Sequence, residues 1–125
     1  MRSVDAGERE MIRQAGVTVY TMSDIDRLGM HEVMETALRI ASGGAFLHVS
    51  FDMDVVDPAH APGVGTPVPG GITFREAHLA MELLYTQGAM DSLELVEVNP
   101  ILDVGNVTGA LAVDLARSAL GARIL

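Results

Sequence analysis

The residues from Ala45 to Phe51 (AFLHVSF) form a nearly continuous apolar run of strand length that stops on an acid, Asp52. Such a run predicts a strand covered on both faces, the environment of a parallel sheet between layers of helix. A parallel neighbour cannot be reached by a hairpin, so the chain must cross over, and crossovers of this kind are right-handed. The flanking segments supply the material. Upstream, Ala6 to Gln14 reads as a short surface helix stopped at Gly16, and Val17 to Met22 is a β-branched and aromatic run with strand character. Ser23 to Asp26 offers N-cap chemistry for a helical turn up to Gly29. His31 to Ala41 follows as a helix with Val33, Ala37 and Ile40 on its apolar face and Met34 and Leu38 beside them. Downstream, Thr73 and Glu76 form a capping box that opens a helix carrying Ala77, Leu79, Ala80, Leu83 and Leu84 to Gly88. Ser92 to Val98 (SLELVEV) is a further strand, and Asn106 to Leu120 a last helix turning Ala110, Leu111, Val113, Leu115 and Ala116 inward. Helices alternating with strands predict an α/β fold with a parallel sheet. Three strands make a thin sheet with long apolar edges, so further strands are expected from outside this chain.

Composition narrows the function classes. The chain has 125 residues, 49% hydrophobic and 20% charged, which is globular and suits one domain or part of a larger one. Its 8 Lys+Arg against 17 Asp+Glu leave a net charge of −9, which argues against nucleic acid or an anionic membrane as partner. There is no Cys, so disulfides, zinc-thiolate centres and thiol nucleophiles are excluded. No apolar run approaches the roughly 20 residues that span a bilayer, and the charged N-terminus does not resemble a signal peptide. The default expectation is a soluble cytoplasmic protein.

The chemistry is expected where strands end, because ligands of α/β sheets collect at the carboxyl ends of the strands. Asp52 and Asp54 sit one residue apart, and in extended chain that spacing points both carboxylates to one side. Side-by-side carboxylates repel unless a proton or cation separates them, and hard oxygen ligands suit Mg²⁺, Mn²⁺ or Ca²⁺. Solvated loop acids or turn caps are the plainer alternative. A calcium loop does not fit, since Val56 and Asp57 occupy places that need an oxygen ligand and a Gly. Glu97, between Val96 and Val98, would need a cation in so apolar a setting, either a bound guanidinium or a structural arginine such as Arg75. Between the strand tips, Asp52 to Gly71 holds Pro58, Pro62, Pro67 and Pro69 with Gly63, Gly65, Gly70 and Gly71, so it reads as a long functional loop. Weaker signals fade. His31-Glu32-Val33-Met34-Glu35 lacks the second imidazole of a zinc helix, Gly63-Val64-Gly65 follows no strand, His48 reads as a hydrogen-bonded core residue, His60 and His78 lack partners at ligand spacing, and the methionines read as core filler.

The segments SFDMDVVDP (Ser50 to Pro58), GTPVPGGITFRE (Gly65 to Glu76) and EVNP (Glu97 to Pro100), in this order and spacing, resemble the C-terminal part of arginases in the ureohydrolase family. RSVDAGE (Arg2 to Glu8) and MSDIDRLGMHEVMETAL (Met22 to Leu38) extend the resemblance over the whole chain. It implies a three-layer α/β/α fold around a parallel sheet, with residues 1–125 as the C-terminal part of one ureohydrolase domain, usually in homotrimers or hexamers. It also implies a pair of Mn²⁺ ions and hydrolysis of the guanidinium of L-arginine to urea and L-ornithine. Asp52 resembles the aspartate that bridges both metals and Asp54 one that ligates a single metal. Glu97 resembles the glutamate that holds the guanidinium, Asp5 the aspartate that recognises the substrate α-amino group with Glu8 nearby, and Thr66 a pocket threonine. Arg75 and Glu76 match a pair that often contributes to subunit contacts. The family's other ligands lie in motifs of the type GGDHS and DAHxD, which this sequence does not contain. The resemblance therefore implies a partial site, inactive without the missing N-terminal part. An agmatinase or other guanidino-hydrolase fragment, or a non-catalytic interaction module, is the alternative.

Overall fold

The computed structural model describes residues 4–88 and 90–122, so Arg2 and Ser3 of the RSVDAGE motif lie outside the described residues. The helices are α1 (Ala6–Ala15), α2 (Met22–Leu28), α3 (Met30–Ala41), α4 (Phe74–Gln87) and α5 (Val107–Ala119), and the strands are β1 (His48–Asp52) and β2 (Ser92–Val96). The strands pair in parallel with His48 opposite Ser92 and Asp52 opposite Val96, joined by a crossover through α4. Helix α4 packs on both α5 and α3, and α2 packs on α3.

Local sequence explains the element boundaries. The Thr73 hydroxyl accepts from the Glu76 N–H while the Glu76 carboxylate accepts from the Thr73 N–H, the reciprocal cap expected, and Gly88 closes α4 in a left-handed conformation. Helix α2 begins one residue before the expected Ser23, because Thr21 is its cap and Asp24 completes the reciprocal pair. On α4 the buried residues Ala77, Ala80, Met81 and Leu84 recur at helical spacing, and on α5 Leu111, Ala112, Leu115 and Ala119 meet them. Three of the methionines, Met30, Met53 and Met81, are buried, whereas Met11 is exposed.

Several expectations are corrected. Val17 to Met22 forms no strand: Val17, Thr18 and Tyr20 line an apolar groove beside β1 without joining its ladder, so the sheet has two strands among the described residues. β-Branched residues make a strand only where a ladder partner is within reach. Ile40, Ala110 and Val113 are exposed rather than inward, because burial on α3 centres on Met30, Val33 and Leu38, and on α5 it follows Leu111 and Leu115. Nor is β1 apolar on both faces. Leu47, Val49, Phe51, Leu93 and Leu95 pack on the core, while His48, Ser50, Ser92 and Glu94 share the opposite face. There His48 Nδ1 lies 2.6 Å from Ser92 Oγ and Nε2 lies 3.5 Å from Glu94 Oε1, so His48 is hydrogen-bonded but exposed rather than a core residue. Bonds from Ser50 and His48 hold the Glu94 carboxyl below its ordinary range.

Candidate functional site

The parallel register puts Asp52 and Glu97 at the same end of adjacent strands, Asp52 closing β1 and Glu97 following the last paired residue of β2, Val96. At the tip of β1 the Asp54 N–H donates to Asp52 Oδ1 (2.9 Å), and the chain turns through a single 3₁₀ turn, Met53–Val55. Met53 anchors that turn, being fully buried. The turn-cap alternative is met at Asp52, through Oδ1. Donor chemistry suits a hard divalent cation, but among the described residues no group of three or more His, Asp or Glu is placed to hold one. Asp52 and Asp54 by themselves therefore do not make up a complete site for such an ion among the described residues.

Glu97 has a left-handed backbone, φ 64°. For a residue with a side chain this is sparsely populated and costs of order 1–3 kcal/mol, so the surroundings must impose it. They do so because the chain changes partner here: β2 pairs with β1 up to Val96, whereas Val98 bridges antiparallel to Val64 and the Asn99 N–H donates to the Gly63 carbonyl (2.7 Å). Residue 97 is the hinge between the two pairings. Its carboxylate is exposed and has no protein partner among the described residues, and a Cβ built on Gly65 would lie 3.4 Å from Glu97 Oε2. The Gly65-Thr66 loop thus lies against the Glu97 carboxylate, with Thr66 exposed. The structural-arginine alternative is overturned, since Arg75 bonds both carboxylate oxygens of Glu82, each at 3.0 Å.

Asp5 and Glu8 occupy a separate place at the start of α1. Asp5 Oδ1 accepts from the Glu8 N–H (2.8 Å) and Glu8 Oε2 from the Asp5 N–H (3.0 Å), a reciprocal cap. No hydrogen bond among the described residues links this cap to the strand tips.

The loop between the strand tips is held by residues that motif reasoning passed over. Asp57 accepts from the N–H groups of Ala59 (2.9 Å), Gly70 (2.8 Å) and Gly71 (3.2 Å), which gathers both ends of the Pro/Gly segment. The bond from Ala59 and then that from Gly70 hold its carboxyl below the ordinary value of 3.8. Asp103, not Asn106, caps α5, accepting from the Thr108 (2.9 Å) and Gly109 (3.1 Å) N–H groups, because Asn106 is itself left-handed and makes no side-chain cap. Burial opposes ionisation of Asp103, and the N–H donors of Gly109 and Thr108 outweigh it, so its carboxyl also titrates low. The buried Thr108 hydroxyl in turn accepts from the Gly63 N–H (2.8 Å), tying α5 to the loop beneath Glu97. The available signal was the Asp placed ahead of a Gly-Asn turn that precedes the helix.

Because the folded carboxyls of Asp57 and Asp103 are depressed, they stabilise the fold above the ordinary value of 3.8, and that contribution is lost as pH falls through the lower folded values. Urea unfolding followed from pH 6 down to pH 3 is expected to show stability falling at the acid end, with a shallower fall in Asp57→Asn. An identical slope in wild type and variant would refute the role of this staple.

Comparison with known proteins gives one consistent result. A family profile described as "Arginase family" matches residues 1–121. The chain is 56% identical over 124 residues to an arginase of Bacillus subtilis (strain 168), covering 99% of this chain and 42% of that protein. It is also similar to the solved structure of a Bacillus subtilis arginase (TM-score 0.97, 56% identity, 99% of this chain and 44% of that one). A third likeness is to the native structure of arginase from Bacillus caldovelox (TM-score 0.96, 49% identity, 99% of this chain and 42% of that one). The chain therefore spans under half the length of the relatives it matches. Among the described residues no helix is long and apolar enough to cross a membrane.

Proposed function

This chain belongs to the arginase family, and from that premise we propose that residues 1–125 are the C-terminal part of a ureohydrolase domain that, completed by an N-terminal part, hydrolyses the guanidinium group of L-arginine to urea and L-ornithine. One observation carries the reading. The parallel register sets the Asp52–Asp54 tip beside Glu97, whose carboxylate is unpaired and held in a left-handed hinge against the Gly65-Thr66 loop. A free carboxylate at a strand tip beside hard oxygen donors suits a planar cation that must meet a nucleophile held by those donors.

In this reading Asp52 and Asp54 would hold a Mn²⁺ pair together with ligands from the N-terminal part. When bound, that pair supplies Lewis acidity and makes a nucleophile of water near neutral pH. Glu97 accepts hydrogen bonds from the guanidinium and orients its carbon, and because the exposed carboxylate has no competing protein donor among the described residues it is available to do so. Thr66 lines the pocket at the same loop. Asp5, supported by Glu8, receives the α-amino group through the oxygen that the α1 cap leaves over.

The test is reassembly. Co-expression of this chain with the N-terminal remainder of the Bacillus subtilis arginase is expected to release urea from L-arginine in the presence of Mn²⁺, with none from either half alone. A stable complex of the two parts without urea release would overturn the proposal.

A further inference from the structure

Away from the strand tips, the first helix lines a cavity of about 910 Å³ that the proposed reaction does not use. Arg9 and Arg13, one helical turn apart on α1, both line it, and Ile12, Val19, Ser23 and Pro69 are among the other lining residues. All 8 basic residues are arginines in a protein with 17 acids. Arg27, Arg75 and Arg117 are paired with Asp24, Glu82 and Asp114, and Arg39 donates to Thr36. Among the described residues, Arg9 and Arg13 have no side-chain partner. The carboxylates beside them on α1 are engaged elsewhere: Asp5 and Glu8 in the α1 cap, and Glu10 by Gln14.

Guanidinium groups at i and i+4 on one helix stand at the spacing of neighbouring side chains, from which both can donate charge-assisted hydrogen bonds to one oxyanion. The Ser23 hydroxyl can add a donor, while Ile12 and Val19 offer an apolar surface beyond the cations. We propose that Arg9 and Arg13 form a binding site for a small phosphorylated ligand, its phosphoryl oxygens on the two guanidinium groups and its apolar part against Ile12 and Val19. Because Pro69 belongs to the loop stapled by Asp57, an occupied site would brace α1 against the segment that carries Thr66.

Titration calorimetry with inorganic phosphate and with phenyl phosphate, at constant ionic strength, tests this on the intact chain. The expected result is saturable binding of both, with phenyl phosphate several-fold tighter and both weakened at least tenfold in the Arg9→Gln/Arg13→Gln variant. Arg13→Lys, which keeps the charge but loses the fork, is expected to fall between. Circular dichroism checks that α1 survives, which its exposed position favours. Absence of saturation, or binding unchanged in the double variant, would overturn the site. Equal affinity for the two probes would overturn the assigned ligand class.

Discussion

Alanine at Gly71 is expected to destabilise the chain by about 1–3 kcal/mol, the cost of forcing an added methyl group into a packed interior. A Cβ at this position would lie 2.5 Å from the Val55 carbonyl oxygen, 2.5 Å from the Asp57 nitrogen and 2.7 Å from the Val56 carbonyl carbon. All three are backbone atoms, so no side chain can rotate aside. The approach is needed because Val56 bridges in parallel to Ile72, with the Asp57 N–H donating to the Ile72 carbonyl (2.9 Å) and the Ile72 N–H to the Val55 carbonyl (3.0 Å). Separating these two segments also stretches the bond from the Gly71 N–H to Asp57 Oδ2. Gly43→Ala is the control, since the nearest atom to a Cβ there is the Ile40 carbonyl oxygen at 4.0 Å. Urea midpoints are expected to separate the two variants clearly. Matching midpoints would show that the close approach carries no weight.

The second large effect is expected at Glu97. In the reassembled enzyme Glu97→Gln should lower kcat/KM by about 10²–10³, the usual scale for removing one charged contact to the reacting group. The stability of the chain should hardly change, because the carboxylate has no protein partner among the described residues and the amide has the same shape. A variant within tenfold of wild-type activity would remove Glu97 from the substrate contact. A variant that loses activity together with stability would instead point to a structural role. Glu82→Gln is a useful contrast: it breaks the bidentate pair with Arg75, but that pair is solvent-exposed, so it is expected to cost no more than about 1 kcal/mol.

The strand tips were legible because their cause is local. Parallel strands joined through a helix must end on one side, so acids closing SFD and SLELVE were bound to be neighbours once the crossover was recognised. The cap of α4 was equally plain, Thr73 and Glu76 having the spacing at which each can bond the other's backbone. The two-sided strand was misjudged for an equally local reason: His48 and Ser50 occupy alternate positions, and at a period of two they were enough to make one face polar. What stayed hidden depended on contacts between distant residues. Asp57 reaches Gly70 across the loop, and Thr108 reaches Gly63 from another helix. Neither pairing leaves a trace in spacing. The left-handed backbone of Glu97 belongs to the same class, since only the change of pairing partner from β1 to Val64 requires it.

That backbone has a consequence for anyone improving this protein by mutation and screening. Glycine relieves the penalty of a left-handed position at no steric cost, and asparagine tolerates it better than glutamate. A library sorted on heat resistance alone will therefore accumulate Gly or Asn at position 97 and discard the acid on which turnover is proposed to depend. Robustness and chemistry compete for one residue, and any such screen needs an activity gate from its first round.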